Sequence, residues 1–304
     1  MKIVNVIGGL GNQMFQYAFA IALKSINSKE IVYVDIQHYK NAFIKKYHGN
    51  NFYHNGYEID KVFPNATIKP AKACDLMKVS YYIPNQVFAR AVRRLLPKRK
   101  TEFVADKQPY VFIPEALKVI GDCYFDGYWM SPKYFEAFHD EIIKEFKFRP
   151  LDNKKNLELQ LLLLKDNSIA IHIRRGDYVG SNTLGGICTL NYYRNAMREA
   201  NKIIKNPVYF IFSNDPEWCE ENLKSEIGTS DVYYVSHNQG TESYRDMQLM
   251  SIARCTILAN SSFSWWGAYL NQRKDHITYC PSKWHNTMTY EDHYVDGWIK
   301  IPII

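Results

Sequence analysis

The chain reads as an α/β protein. Short apolar runs of strand length alternate with segments of helical periodicity along most of its 304 residues. The first run, residues 3–7, passes through a glycine-rich turn at residues 8–11 into a helix over residues 12–25. The same alternation restarts after Pro150, which divides the chain into an N-terminal α/β domain, residues 1–150, and a C-terminal one, residues 151–304.

In order along the first half, a second strand is expected at residues 31–34. Residues 40–118 form an irregular insert rich in Tyr, Asn, Pro and Lys. A strand over residues 119–124 and a helix over residues 132–146 follow. In the second half, residues 157–164 read as a helix and 169–173 as a strand. Residues 190–200 form a helix, and 207–213 and 232–235 strands. A helix at 243–253, a strand at 255–259, a helix at 261–270 and a last strand at 276–280 complete the series. No internal repeat or low-complexity linker interrupts it.

Composition narrows the function classes. The net charge is +7, which favours acidic ligands or an anionic surface without choosing between them. Six cysteines (Cys74, Cys123, Cys188, Cys219, Cys255, Cys280) lie far apart with no CxxC, as expected of free thiols in a reducing compartment rather than a disulfide or zinc framework. The N-terminus carries an Ala-Phe-Ala sequence, but Asn5, Asn12, Gln13 and Gln16 interrupt any signal-peptide core. No run approaches the ~20 apolar residues of a membrane span. A cytoplasmic protein is expected. The basic stretch at residues 90–100 (Arg90, Arg93, Arg94, Lys98, Arg99, Lys100) reads as a solvated surface or as a dock on the anionic inner face of a membrane. A nucleic-acid binder would use the same charge, yet no recognition motif accompanies it.

Four polar stretches sit where strands end. In GGLGNQMFQ, glycines free the backbone and Asn12 is placed to cap the following helix, whose N–H groups suit an anion; an ordinary strand–helix turn fits as well. The spacing is neither GxGxxG nor a phosphate-binding lysine loop. In HIRRGDY, two arginines leave an apolar strand, and their forks match phosphate oxygens; an Arg175–Asp177 ion pair pinning the loop is the alternative. Asn214, Asp215 and Pro216 form a polar strand end that reads as a turn or a helix cap. In the last stretch, Ser261 and Ser262 open a helix where N–H groups converge. Asp246 lies near the start of the preceding helix, as a charge cap or as an acceptor for guanine N1–H and N2–H. Trp265 and Trp266 read as packing.

Taken together, GGLGNQMFQYAFA, HIRRGDY and SSFSWWGAYLN, in this order, resemble the bacterial α-1,2-fucosyltransferases of glycosyltransferase family 11, over residues 3–284. The resemblance implies a GT-B-like pair of Rossmann-type domains facing across a cleft. It implies GDP-β-L-fucose as donor and inverting transfer to the 2-hydroxyl of a terminal galactose, on an O-antigen or another glycan that is lipid-linked or free, without a metal or other cofactor. It assigns Arg174 and Arg175 to the diphosphate and its scaffold, and Ser261 and Ser262, with Phe263 and Asn214 beside them, to the phosphate side. His172 and Asp246 would face the guanine, and Gly11, Asn12 and Gln13 would approach the donor from the first domain. No DxD-like metal motif is present, since Asp122 and Asp126 are four apart. For the base the residues leave Asp177, Glu242, His38 and Asp126 open, as well as a dissociative route in which the departing phosphate takes the proton.

Overall fold

The computed structural model describes residues 1–40, 55–80, 95, 100–105 and 107–303. Arg90, Arg93, Arg94, Lys98 and Arg99 of the basic stretch, and much of the insert, lie outside the described residues. Two compact units result: Met1–Arg149 with Glu291–His293, and Pro150–Tyr290 with Tyr294–Ile304. The return of Glu291–His293 to the first unit was not expected from the sequence. Its cause is local: Asp292 pairs with Lys133 at 2.6 Å and accepts from the Phe112 N–H, while the buried His293 ring lies 5.5 Å from that of Phe15.

The first unit holds a parallel sheet of four strands, β1 (Lys2–Asn5), β2 (Val32–Asp35), β3 (Glu102–Val104) and β4 (Cys123–Asp126), in the order β2-β1-β4-β3. Strand β3 falls inside the stretch read as irregular. Strand β4 begins later than expected because Gly121, at φ +82°, turns the chain first. Helix α1 (Leu10–Ile26) is buried on nearly every side from Leu10 to Leu23, as a helix at the centre of a core must be. Asn12 does not cap it; the N-cap is Gly9, with no side-chain bond. The helix expected over residues 132–146 is broken at Phe135 (φ −138°, ψ −1°) into two 3-10 turns and a short helix, α2 (His139–Glu145). Buried Tyr134 and Phe135 pack toward Phe19 and Phe15 instead of continuing the helix.

The second unit holds a parallel sheet of six strands. These are β5 (Ser168–Ile173), β6 (Val208–Ser213), β7 (Val232–Val235), β8 (Cys255–Ile257), β9 (Ile277–Pro281) and β10 (Ile299–Ile301). Their order is β10-β9-β8-β5-β6-β7. Helices α3 (Lys154–Leu163), α4 (Leu190–Ile203), α5 (Pro216–Ile227), α6 (Tyr244–Met250) and α7 (Ser262–Tyr269) connect or flank them. Every residue of β5 is buried, as befits the middle of a parallel sheet covered on both faces. Helix α5 and strand β10 were not expected: α5 starts on Asp215, whose side chain accepts from the Trp218 N–H, with Pro216 as first residue. Gly267 lets α7 approach α6, because a Cβ there would meet the Met250 Cβ at 3.1 Å. Among the described residues no helix is long and apolar enough to cross a membrane.

In both units the loops at the carboxyl ends of the central strands are tied down by buried amides. Gln16 accepts from the Ile7 N–H at 2.9 Å and donates to the Gly127 carbonyl at 3.4 Å, joining the loops that leave β1 and β4. Replacing Gln16 by Leu keeps the volume and orphans both backbone groups. Urea unfolding of Gln16→Leu is expected to show a loss of about 2–4 kcal/mol.

Candidate active site

In an open parallel sheet, ligands bind where consecutive connections leave the carboxyl edge in opposite directions. The second sheet has that point between β5 and β8, since the chain runs from β5 outward to β6 and β7, then returns to β8 on the other side. The loops after these two strands carry the polar motifs found in the sequence.

The two arginines at the end of β5 take different roles. Arg175 turns toward β6: its Nε donates to Asp215 Oδ2 at 2.9 Å, and its guanidinium lies 4.0 Å from the Trp218 ring centre. Its N–H donates to Asn214 Oδ1 at 2.9 Å. Gly176 follows because a Cβ there would stand 2.2 Å from Asn214 Nδ2. Arg174 instead pairs with Asp177 at 2.8 Å across the 3-10 turn Gly176–Tyr178, and lies 5.6 Å from the Tyr178 ring. In place of the Arg175–Asp177 pair considered as the alternative, the structure holds two others, Arg174–Asp177 and Arg175–Asp215. The second ties the loops after β5 and β6 together.

Across the switch point, Ser261 caps α7: its Oγ accepts from the Phe263 N–H at 3.3 Å, and Ser262 is the first helical residue. Ser261 is buried, whereas Ser262 and Phe263 are half-buried. Trp265 and Trp266 are fully buried beneath the helix. Asn260, 3% exposed, holds this corner. Its Nδ2 donates to the carbonyls of Leu184 (3.0 Å) and Trp284 (3.3 Å), its Oδ1 faces the Cys188 thiol at 3.4 Å, and its carbonyl accepts from the Tyr178 hydroxyl at 3.4 Å. One side chain thus fastens the loops after β5 and β9 to the start of α7.

His172, on β5, is buried, with its ring 5.6 Å from that of Phe263 and Nδ1 without a hydrogen-bond partner. Burial, with the nearby Arg174 charge, pushes its pKa down to about 3, so the ring is neutral at working pH. Asp246, in the first turn of α6, accepts from Asn238 Nδ2 at 2.7 Å; burial pushes its carboxyl up to about 7, with the Asn238 bond pulling the other way.

Residues expected to act from the first unit are placed differently from one another. Gly11 is buried inside α1. Asn12 is half-buried, beside Gly8, which has φ +86°. Gln13 is fully buried and its amide is occupied: Oε1 accepts from the Glu58 N–H at 2.8 Å, and Nε2 donates to the carbonyls of Gly8 (3.1 Å) and Gly56 (2.8 Å). Gln13 thus spends its amide on the chain's own backbone. Of the four base candidates, Asp177 and Glu242 are exposed and paired with Arg174 and Arg245. His38 is buried against Tyr39, and Asp126 accepts from Asn5 Nδ2 at 2.7 Å.

The sequence reading missed Trp218, Asn238 and Asn260 as parts of this site, and singled out Asp215 only as a turn or helix cap. Asn260 had a legible signal, an amide directly before the Ser261 cap; Asn238 had none, because the Asn156 amide that orients it lies 82 residues away in the chain.

Comparison with known proteins follows the same lines. The glycosyl transferase family 11 model matches residues 115–302. An alpha-1,2-colitosyltransferase of Escherichia coli is 33% identical, covering 98% of each chain, and the O-antigen biosynthesis glycosyltransferase WbnK of Escherichia coli is 27% identical over 97% of this chain and 98% of that one. Galactoside alpha-(1,2)-fucosyltransferase 1 of Ateles belzebuth is 26% identical over 86% of this chain, which spans 63% of that protein. Among solved structures, the alpha-1,6-fucosyltransferase NodZ soaked with GDP-fucose superposes with a TM-score of 0.50 at 14% identity, covering 91% and 94% of the two chains. A mutant of FUT1 from Arabidopsis thaliana in complex with GDP gives 0.50 at 13% identity, covering 93% and 70%. The likeness to these solved structures is one of fold, which is GT-B-like. With its family model matched through both the arginine loop and the Ser261 helix, this chain belongs to glycosyltransferase family 11.

Proposed function

We propose that this enzyme transfers L-fucose from GDP-β-L-fucose to the 2-hydroxyl of a terminal galactose, with inversion to an α-1,2 linkage. The observation that carries the donor class is the placement of Arg174 and of the α7 N-terminus at Ser262 after the carboxyl ends of the neighbouring parallel strands β5 and β8. A leaving diphosphate needs positive charge and directed N–H groups, and both are supplied by this chain. We therefore also propose that transfer needs no metal. His172, neutral and with Nδ1 unengaged, and the Asp246 carboxylate are assigned to the guanine. In the reaction the galactose O2 attacks the anomeric carbon from the face opposite the diphosphate, the bond from that carbon to the β-phosphate oxygen breaks, and GDP leaves with the electron pair. The hydroxyl proton passes to a carboxylate, an imidazole or the departing phosphate.

The α-1,2 linkage is supported by the colitosyl and fucosyl relatives, which share it by name. An O-antigen acceptor is supported by WbnK. The 33% relative favours a second donor reading, the GDP sugar of colitose, which is L-fucose without its 3-hydroxyl.

Product analysis, nucleotide calorimetry and two arginine variants test these readings. Incubation with GDP-fucose or its 3-deoxy counterpart and a panel of galactose-terminated acceptors, with EDTA present, is expected to yield an α-1,2 product by NMR; product from the 3-deoxy donor alone would select the second reading. Calorimetry is expected to show micromolar GDP binding and much weaker UDP and ADP binding, and no GDP binding at that level would remove the proposal. Arg174→Ala is expected to lower turnover at least ~100-fold with an unchanged thermal transition. Arg175→Ala is expected to lower the transition temperature together with turnover, because Arg175 anchors the loop to Asp215 and Trp218.

A further inference from the structure

Behind Asp246 lies a chain of buried amides that no part of the donor reading uses. Asn156, on α3 and 2% exposed, and Asn238, after β7 and 9% exposed, form a reciprocal amide pair. Asn156 Nδ2 donates to Asn238 Oδ1 at 2.8 Å, and Asn238 Nδ2 donates to Asn156 Oδ1 at 3.1 Å. His237 Nε2 lies 2.7 Å from the same Asn156 Oδ1, and as a donor there it sets which end of the Asn156 amide faces inward. That orientation in turn sets Asn238. Its Oδ1 is taken by Asn156, so its Nδ2, an obligatory donor, is the end presented to Asp246 Oδ1 at 2.7 Å.

The geometry therefore does two things to Asp246. It locks the carboxylate on one oxygen, and it supplies a donor that favours the ionised form, which accepts only. Guanine presents two adjacent donors, N1–H and N2–H, and an ionised carboxylate held still is their complement. Adenine presents a donor beside an acceptor and does not match. We propose that Asn238, oriented by Asn156 and His237, is a positioning residue that sets the guanine selectivity of Asp246. This rests on the assignment of Asp246 to the guanine.

The other groups around the acid are accounted for. The neighbouring Arg245 guanidinium, on the same helix, is directed to Glu242, Asp152, Gln248 and the Pro150 carbonyl. His237 is held toward its neutral form by burial and by Lys155. Burial alone works against ionisation of Asp246, whose carboxyl sits near 7, and the Asn238 bond opposes it. Removing that bond raises the carboxyl further, so the acid limb of nucleotide binding moves to higher pH.

The test is calorimetric binding of GDP, inosine diphosphate (no 2-amino group) and ADP at pH 6, 7 and 8 to four proteins: wild type, Asn238→Leu, Asn156→Leu and Asp246→Asn. Asn238→Leu is expected to weaken GDP about tenfold at pH 7, to narrow the preference for GDP over inosine diphosphate, to leave ADP unchanged, and to shift the acid limb upward. Asn156→Leu is expected to move each quantity the same way by less. Asp246→Asn is expected to abolish the limb, which separates the carboxyl from the titration of the phosphates. A uniform loss for all three nucleotides, or an unaltered pattern in both amide variants, overturns the proposal. If Asn238→Leu does not fold, Asn238→Ser is read by the same criteria. Wild-type selectivity in Asp246→Asn overturns the guanine assignment itself, whereas lost selectivity there with wild-type behaviour in the amide variants overturns the positioning role alone.

Discussion

Where a parallel strand ends, its ladder ends too, and the loop that follows carries backbone groups without sheet partners. This chain satisfies them with buried side-chain amides, and the polar chemistry at the carboxyl edges depends on that device. Gln13 and Gln16 hold the loops after β1 and β4. Asn260 holds those after β5 and β9, and the exposed Asn214 amide adds a bond from the Arg175 N–H. An amide suits this work because it offers donors and an acceptor without a charge, so its burial costs less than that of a carboxylate or an ammonium.

The same constraint separates two kinds of arginine. Arg175 is held on three sides, by Asp215, Trp218 and the Asn214 contact to its own backbone, and serves the loop. Arg174 is held by a pair with Asp177, whose side chain is 59% exposed, where solvent weakens the attraction. An anion of higher charge competes well for such a guanidinium. An anchored arginine beside an exchangeable one suits the diphosphate site proposed for these loops.

Much of the fold was legible. The strand, turn and helix at the N-terminus, strand β5 and the Ser261 cap follow from apolar periodicity interrupted by glycine, arginine and serine, which are local signals. The elements that escaped have local reasons as well. Strands β3 and β10 are three residues each, too short for a pattern. Helix α5 follows a Ser-Asn-Asp-Pro stretch that reads equally well as a turn. The helix over residues 132–146 failed because Tyr134 and Phe135 bury their rings at the cost of helical backbone at Phe135, a tertiary preference that periodicity does not register.

By itself the sequence determined the residue types that chemistry requires and the strand ends on which they sit: two arginines after β5, serines opening α7, an acid at the start of α6. Only the tertiary structure decided which partner each one takes. The loop after β6 brought Asp215 to Arg175 and left Asp177 to Arg174. The packing of α1 turned Gln13 inward onto Glu58, Gly8 and Gly56. The meeting of α3 with the loop after β7 brought Asn156 to Asn238, 82 residues apart. Such pairings depend on distances in space, and residue spacing along the chain carries no record of them.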